Sequence, residues 1–174
     1  MRMSAWRRSR GALERMRQVG AIVLPALMAA VAPTVATTAY FIALGAISPD
    51  LWGISLIALV VAVGHVVFLG LPGFAWLYKL NCARWWSITM LGFVAGSLPI
   101  GVLTWPLRSG HAGSSTQLNG VWTMIDGIPT AAGWSQYGAG IAFYGALGAL
   151  GAASFWLTRE RMRSNNSLER SRDR

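Results

Sequence analysis

The sequence predicts an all-α integral membrane protein: a bundle of four transmembrane helices with both termini on the cytoplasmic side. Three observations predict it. Hydrophobic residues make up 54% of the 174-residue chain and charged residues only 12%, about half the charged share of a soluble domain. The apolar residues fall in four long runs that are almost free of charge. The 15 Lys+Arg, against 6 Asp+Glu, gather at the two ends and in one loop. This composition excludes an ordinary soluble enzyme, a disordered tail protein and a disulfide scaffold, because a chain this apolar needs the bilayer as a second solvent.

Residues 1–18 form a basic cytoplasmic segment with Arg2, Arg7, Arg8, Arg10, Arg15 and Arg17 against Glu14 alone. Its Trp6, Leu13 and Met16 suit a helix lying on the membrane surface. The membrane domain follows over residues 19–158. Its first span, about 19–47, contains Pro25 and Pro33 and exceeds the roughly 20 residues that cross a bilayer, so it is expected to tilt or kink. It is too long for the apolar region of a cleaved signal peptide. Thr34, Thr37 and Thr38 lie within a turn of Pro33, where their hydroxyls can serve carbonyls that the proline leaves without a donor. Ser48-Pro49-Asp50 reads as a turn, with Asp50 placed to cap the second helix.

The second span, about 51–78, has Ser55 and His65 as its only polar side chains before Tyr78, and Pro72-Gly73 marks a break or bend near its end. A short basic loop with Lys79 and Arg84 leads to the third span, about 86–107. The 108–136 loop opens with a Gly/Ser-rich stretch, continues through Val121-Trp122-Thr123-Met124-Ile125 and turns at Asp126-Gly127-Ile128-Pro129. Its second half is expected to lie in the membrane interface as a short helix or re-entrant piece; a recognition loop is the functional option. The fourth span, about 137–157, precedes a basic tail over 159–174, read as disordered from its Ser, Asn and Arg content.

Orientation follows from the excess of Lys and Arg in cytoplasmic loops. With four spans the termini share a side with the 79–85 loop, and Arg108 is then the only Lys or Arg on the opposite side. The expected location is a bacterial-type cytoplasmic membrane. Trp52 and Trp105 fall at the outer ends of spans, and Trp76, Trp85, Trp86 and Trp156 at the inner ends, where indole prefers the headgroup level. Trp86 to Trp105 measures about 28 Å along a helix at 1.5 Å per residue, close to the hydrocarbon thickness.

His65 stands near mid-bilayer, where ionisable groups are expensive and often functional. A proton relay, a metal or haem ligand and a pH switch compete with a neutral imidazole hydrogen-bonded within the bundle, and the last reading is favoured. No second intramembrane His accompanies it, which excludes a bis-His haem site within one chain. Cys82 is the only cysteine, which excludes a paired-cysteine oxidoreductase and an intrachain zinc-thiolate site. No carboxylate lies inside a span, which speaks against carboxylate-dependent exporters and lipid transferases that use paired aspartates. No cofactor and no metal site is expected.

Small residues mark packing faces. Gly92 and Gly96 form GxxxG in the third span, and Gly138, Ala142, Gly145 and Ala149 recur in the fourth. Such residues let helix backbones approach closely in a medium that supplies no hydrophobic drive. Packing between spans three and four is favoured over a homodimer seam. The Arg-rich ends match anionic headgroups at the cytoplasmic face, and no aromatic-basic module points to nucleic acid. The functional expectation is a non-enzymatic accessory, structural or regulatory membrane protein acting through helix–helix contacts, with a homo-oligomer or another membrane protein as partner. The alternative is a small oligomeric transporter or channel whose path is lined by Thr34, Thr37, Thr38 and His65.

Overall fold

A computed structural model describes residues 2–45, 50–106 and 113–172, with side chains described at 20, 22–45, 50–106 and 113–165. The chain is mostly helical. In order it forms α1 (Arg2–Ala43), α2 (Leu51–His65), a π-helical turn (Val66–Gly70), α3 (Leu71–Lys79), α4 (Trp85–Leu103), strands β1 (Thr116–Leu118), β2 (Val121–Ile125) and β3 (Ile128–Pro129), and α5 (Ala131–Arg172). Among the described residues four helical stretches are long and apolar enough to cross a membrane: Ile22–Ala43, Leu51–Lys79, Trp85–Leu103 and Ala131–Asn165. The surface of side chains outside these contacts is strongly apolar, with Ile57, Val60, Phe68 and Leu98 among many large exposed residues, as lipid-facing helices require.

Several expectations change. The chain is not all-α, because the 108–136 loop holds a three-stranded antiparallel sheet in the order β1-β2-β3 rather than a short helix or re-entrant piece. The basic N-terminal segment is not a separate surface helix; its backbone is continuous with the first span from Arg2 to Ala43. The last helix starts at Ala131 and runs on past Leu157 to Arg172, so the tail expected to be disordered is helical as far as Arg172. Asp50 occupies the N-cap position of α2 but makes no side-chain capping bond. Its backbone is already helical, at φ −71° and ψ −13°, whereas a capping side chain needs the extended backbone of a true N-cap.

Pro72-Gly73 does not break the helix. Pro72 has no N–H for the Phe68 carbonyl, and its ring crowds that carbonyl. The turn immediately before it widens to π register over Val66–Gly70, which carries the chain past the proline without ending the span.

The chain divides into two compact units, Met1–Val66 with Ala153–Arg174, and Val67–Ala152. In the first, α1 packs along α2, Pro25, Ala29 and Ala30 are buried, and the hydroxyls of Thr38 and Ser55 meet at 2.9 Å. In the second, α3 packs on α4, where the Leu91 side chain fills the space beside Gly73. Gly92, Gly96 and Gly148 bring α4 and α5 together, and the sheet sits ahead of α5.

The sheet is two successive hairpins with two-residue loops. Leu118 pairs with Val121 across Asn119-Gly120, and Ile125 pairs with Ile128 across Asp126-Gly127. All four loop residues have positive φ: 49° at Asn119, 81° at Gly120, 48° at Asp126 and 81° at Gly127. That is the type I′ geometry that matches strand twist, and Asn-Gly and Asp-Gly adopt it at least strain.

Candidate functional site

The most built region of the chain lies in the second unit, where the sheet, the start of α5 and the end of α4 converge. Thr130 fastens the sheet to the helix. Its hydroxyl donates to the Trp122 carbonyl at 2.7 Å and accepts from the Gly133 N–H at 3.2 Å. The second bond is an N-cap serving the third amide of α5. The Thr130 N–H donates to the Thr123 carbonyl at 3.1 Å, and the Trp134 N–H donates to the Thr130 carbonyl at 3.0 Å. Gly133 lies so close to the Thr123 carbonyl that a side chain there would collide with it. One residue therefore ends the ladder and starts the helix.

A turn into α5, an aromatic cluster joins it to α4. Trp105, Trp134 and Tyr137 pack edge to face in all three pairings, with ring centroids 5.7 Å, 5.6 Å and 5.9 Å apart. Such pairs contribute beyond their buried area because ring edges and faces carry opposite partial charge. The Tyr137 hydroxyl donates to the Gly101 carbonyl at 2.7 Å. Gly101 belongs to the last turn of α4, whose carbonyls have no intrahelical donor.

Below this cluster α4 and α5 meet backbone to backbone. A Cβ at Gly92 would lie 2.5 Å from the Gly148 carbonyl oxygen and against the Ala152 methyl. One at Gly96 would strike the Tyr144 carbonyl and stand 3.1 Å from the Gly148 Cα. One at Gly145 would lie 2.6 Å from the Phe93 ring. The face of α5 that meets α4 is thus Gly145, Gly148 and Ala152. Of the sequence-derived packing residues, Gly92, Gly96 and Gly145 lie in this seam. Gly138 does not, since a Cβ there would meet nothing within 4 Å. Ala142 is exposed and Ala149 half-buried. Gly148, at the centre, follows Gly145 by three residues and precedes Ala152 by four, the spacing of one helix face.

The polar residues of the first unit are arranged differently. Thr34, Thr37 and Thr38 donate to the carbonyls of Ala30, Pro33 and Thr34 at 2.9 Å, 2.8 Å and 2.9 Å. The Ser55 hydroxyl lies 2.8 Å from the Leu51 carbonyl and 2.9 Å from the Thr38 hydroxyl; with one proton on each hydroxyl, the one that donates across to the other helix gives up the bond to its own carbonyl. His65 lies ten residues beyond Ser55, roughly 15 Å along the helix axis at 1.5 Å per residue. Its Nδ1 is 2.8 Å from the Val61 carbonyl; a carbonyl only accepts, so Nδ1–H donates. His65 is half-buried and immediately precedes the π-helical turn.

Among the described residues no three His, Cys, Asp or Glu side chains come together as metal ligands would. Cys82 is exposed. The chain matches no protein family, and no curated protein or solved structure is significantly similar to it.

Proposed function

We propose that the chain is a non-enzymatic accessory protein of a bacterial-type cytoplasmic membrane. Its spans form a four-helix bundle with both termini in the cytoplasm, and it acts through helix–helix contacts with another membrane protein or a second copy. The observation that carries this reading is the Leu51–Lys79 helix. It is the most apolar of the four spans, and no residue along its most apolar stretch is buried within the chain. The glycine seam between α4 and α5 is already occupied, which leaves the broad face of Leu51–Lys79 for lipid and for a partner helix. The Arg-rich ends support the orientation, since Lys and Arg are retained on the cytoplasmic side.

Purification of the full chain from its own membrane in mild detergent tests the reading. A stoichiometric membrane-protein partner, or a discrete oligomer, is expected. A lone monomer with neither would overturn it. Reporter fusions at each terminus test the orientation; an extracytoplasmic signal from either end would overturn that part.

A second reading, a small oligomeric transporter or channel, draws on His65 and the π-helical turn beside it. Single-turn π segments within α-helices occur frequently at functional sites. Thr34, Thr37 and Thr38 would line the same path, separated from His65 along the helices.

A further inference from the structure

The register of the three-stranded sheet decides which residues share a face. Residues directly opposite one another point to the same side. Gln117 pairs with Trp122, and Thr116 pairs with Met124. One step along β1 therefore matches two along β2, a bulge between Thr116 and Gln117. The extra residue offsets the alternation of β2 by one, so Trp122 and Ile125 share a side instead of opposing each other. Ile128 joins them through its pairing with Ile125.

One face thus carries Gln117, Trp122, Ile125 and Ile128. Its three large apolar side chains are 48%, 46% and 69% exposed, respectively. The other face carries Thr116, Leu118, Val121, Met124 and Pro129; Pro129 is buried and Met124 half-buried, while Leu118 and Val121 are exposed beside the Asn119-Gly120 turn. The Trp122 face holds no charge, and its one polar side chain, Gln117, is turned onto the Gly120 carbonyl at 2.8 Å. Over residues 113–130 the only charged residue is Asp126, in a turn.

We propose that this Trp122–Ile125–Ile128 face seats in the headgroup layer of the bilayer, on the leaflet at the Trp105 end of α4 and the Trp134 end of α5. Three features point to lipid as its occupant. The sheet is fastened by Thr130 to the first turn of a membrane-spanning helix; Trp134, four residues later, packs against Trp105, and tryptophan marks the headgroup level. The one polar side chain on the face itself, Gln117, is turned back onto the Gly120 carbonyl, and the charged Asp126 stands in a turn. The face presents one tryptophan beside two isoleucines and no charge, and indole prefers the headgroup level. The proposal rests on the membrane reading above. The sheet then acts as a float that fixes the depth of α4 and α5.

Site-directed spin labelling of the full chain, reconstituted in phosphatidylethanolamine–phosphatidylglycerol vesicles, tests it. Cys82→Ser removes the native thiol, and Ile125→Cys, Ile128→Cys, Thr116→Cys and Ile57→Cys each supply one label site. Lipid contact gives high collision with oxygen and low collision with a water-soluble nickel chelate. The oxygen-to-nickel ratio is expected to be several-fold higher at 125 and 128 than at 116, and highest at 57. Nickel access at 125 and 128 equal to that at 116 would overturn the proposal in favour of a solvated face. Low access to both reagents would overturn it in favour of a protein contact. If position 57 itself is open to nickel, the membrane reading fails as well, which separates the two failures.

Discussion

Gly92 and Gly148 pack with no side chain between them: a Cβ on either would run into the carbonyl oxygen of the other. In lipid, where apolar surface gains nothing by leaving the tails, this backbone contact is the main source of affinity between two helices. Gly92→Ala and Gly148→Ala are therefore expected to destabilise the chain by about 1–3 kcal/mol through overpacking. Gly138→Ala has open space and is expected to stabilise α5 by about 0.5–1 kcal/mol, the conformational gain of alanine over glycine in a helix. Reversible unfolding in mixed micelles reads all three; equal behaviour of Gly138 and Gly148 would refute the seam.

Tyr137 and Gly101 supply a second link between the same helices. Tyr137→Phe keeps the ring packing against Trp105 and Trp134 and removes only the donor. A loss of about 0.5–1.5 kcal/mol is expected. The infrared amide band of a chain labelled with carbonyl-¹³C at Gly101 should shift to higher frequency, because its oxygen loses a strong hydrogen bond. An unchanged band would mean that the hydroxyl does not reach Gly101 in the membrane.

Thr130 joins the sheet to α5 through one hydroxyl with two partners. Thr130→Val preserves the shape and removes both bonds. The cap alone is worth about 0.5–2 kcal/mol. Amide exchange at Gly133 should accelerate, with little change deep in α5, and Thr130→Ser should restore protection. Equal exchange in the wild-type chain and Thr130→Val would show that the cap does not form.

His65 separates the two functional readings. If the chain acts through helix contacts, His65→Ala leaves proton and cation flux across reconstituted vesicles at the wild-type level and leaves partner or self-association intact. Loss of a measurable flux in that variant would favour the transport path instead. The imidazole already serves its own helix through Val61, which agrees with a residue that satisfies itself locally.

Much of this arrangement was legible in the residues. Apolar runs broken by Ser48-Pro49-Asp50 and by the Lys79–Arg84 loop mark the helices within a few residues. The threonine hydroxyls near Pro33 turn to carbonyls of their own helix, but to those of Ala30, Pro33 and Thr34 and not to that of Ala29, the one Pro33 leaves without a donor. The hairpins were legible too, and were missed: Asn119-Gly120 and Asp126-Gly127 each stand between apolar residues, the strongest short-range hairpin signal. The run Val121–Ile125 looks like an interfacial helix only when its flanking turn pairs are ignored. Likewise Thr130, three residues ahead of Gly133, marks the start of α5 well before the hydropathy rises at Tyr137.

Other features could not be read locally. Gly138, Gly145 and Gly148 are alike in sequence, yet a Cβ is blocked only at the last two. Which small residues meet depends on the rotation of α5 about its axis, and that is set by contacts distant in the chain, from Tyr137 to Gly101 and from Phe93 to Gly145. The bulge that brings Trp122 and Ile125 to one face depends on pairing with β1. The sequence by itself determined four apolar helices, because hydropathy and length are sums over neighbouring residues and the bilayer responds to those sums. The tertiary structure decided the α4–α5 seam and the apolar face of the sheet, because helix phase and strand register are relations between segments that no single segment contains.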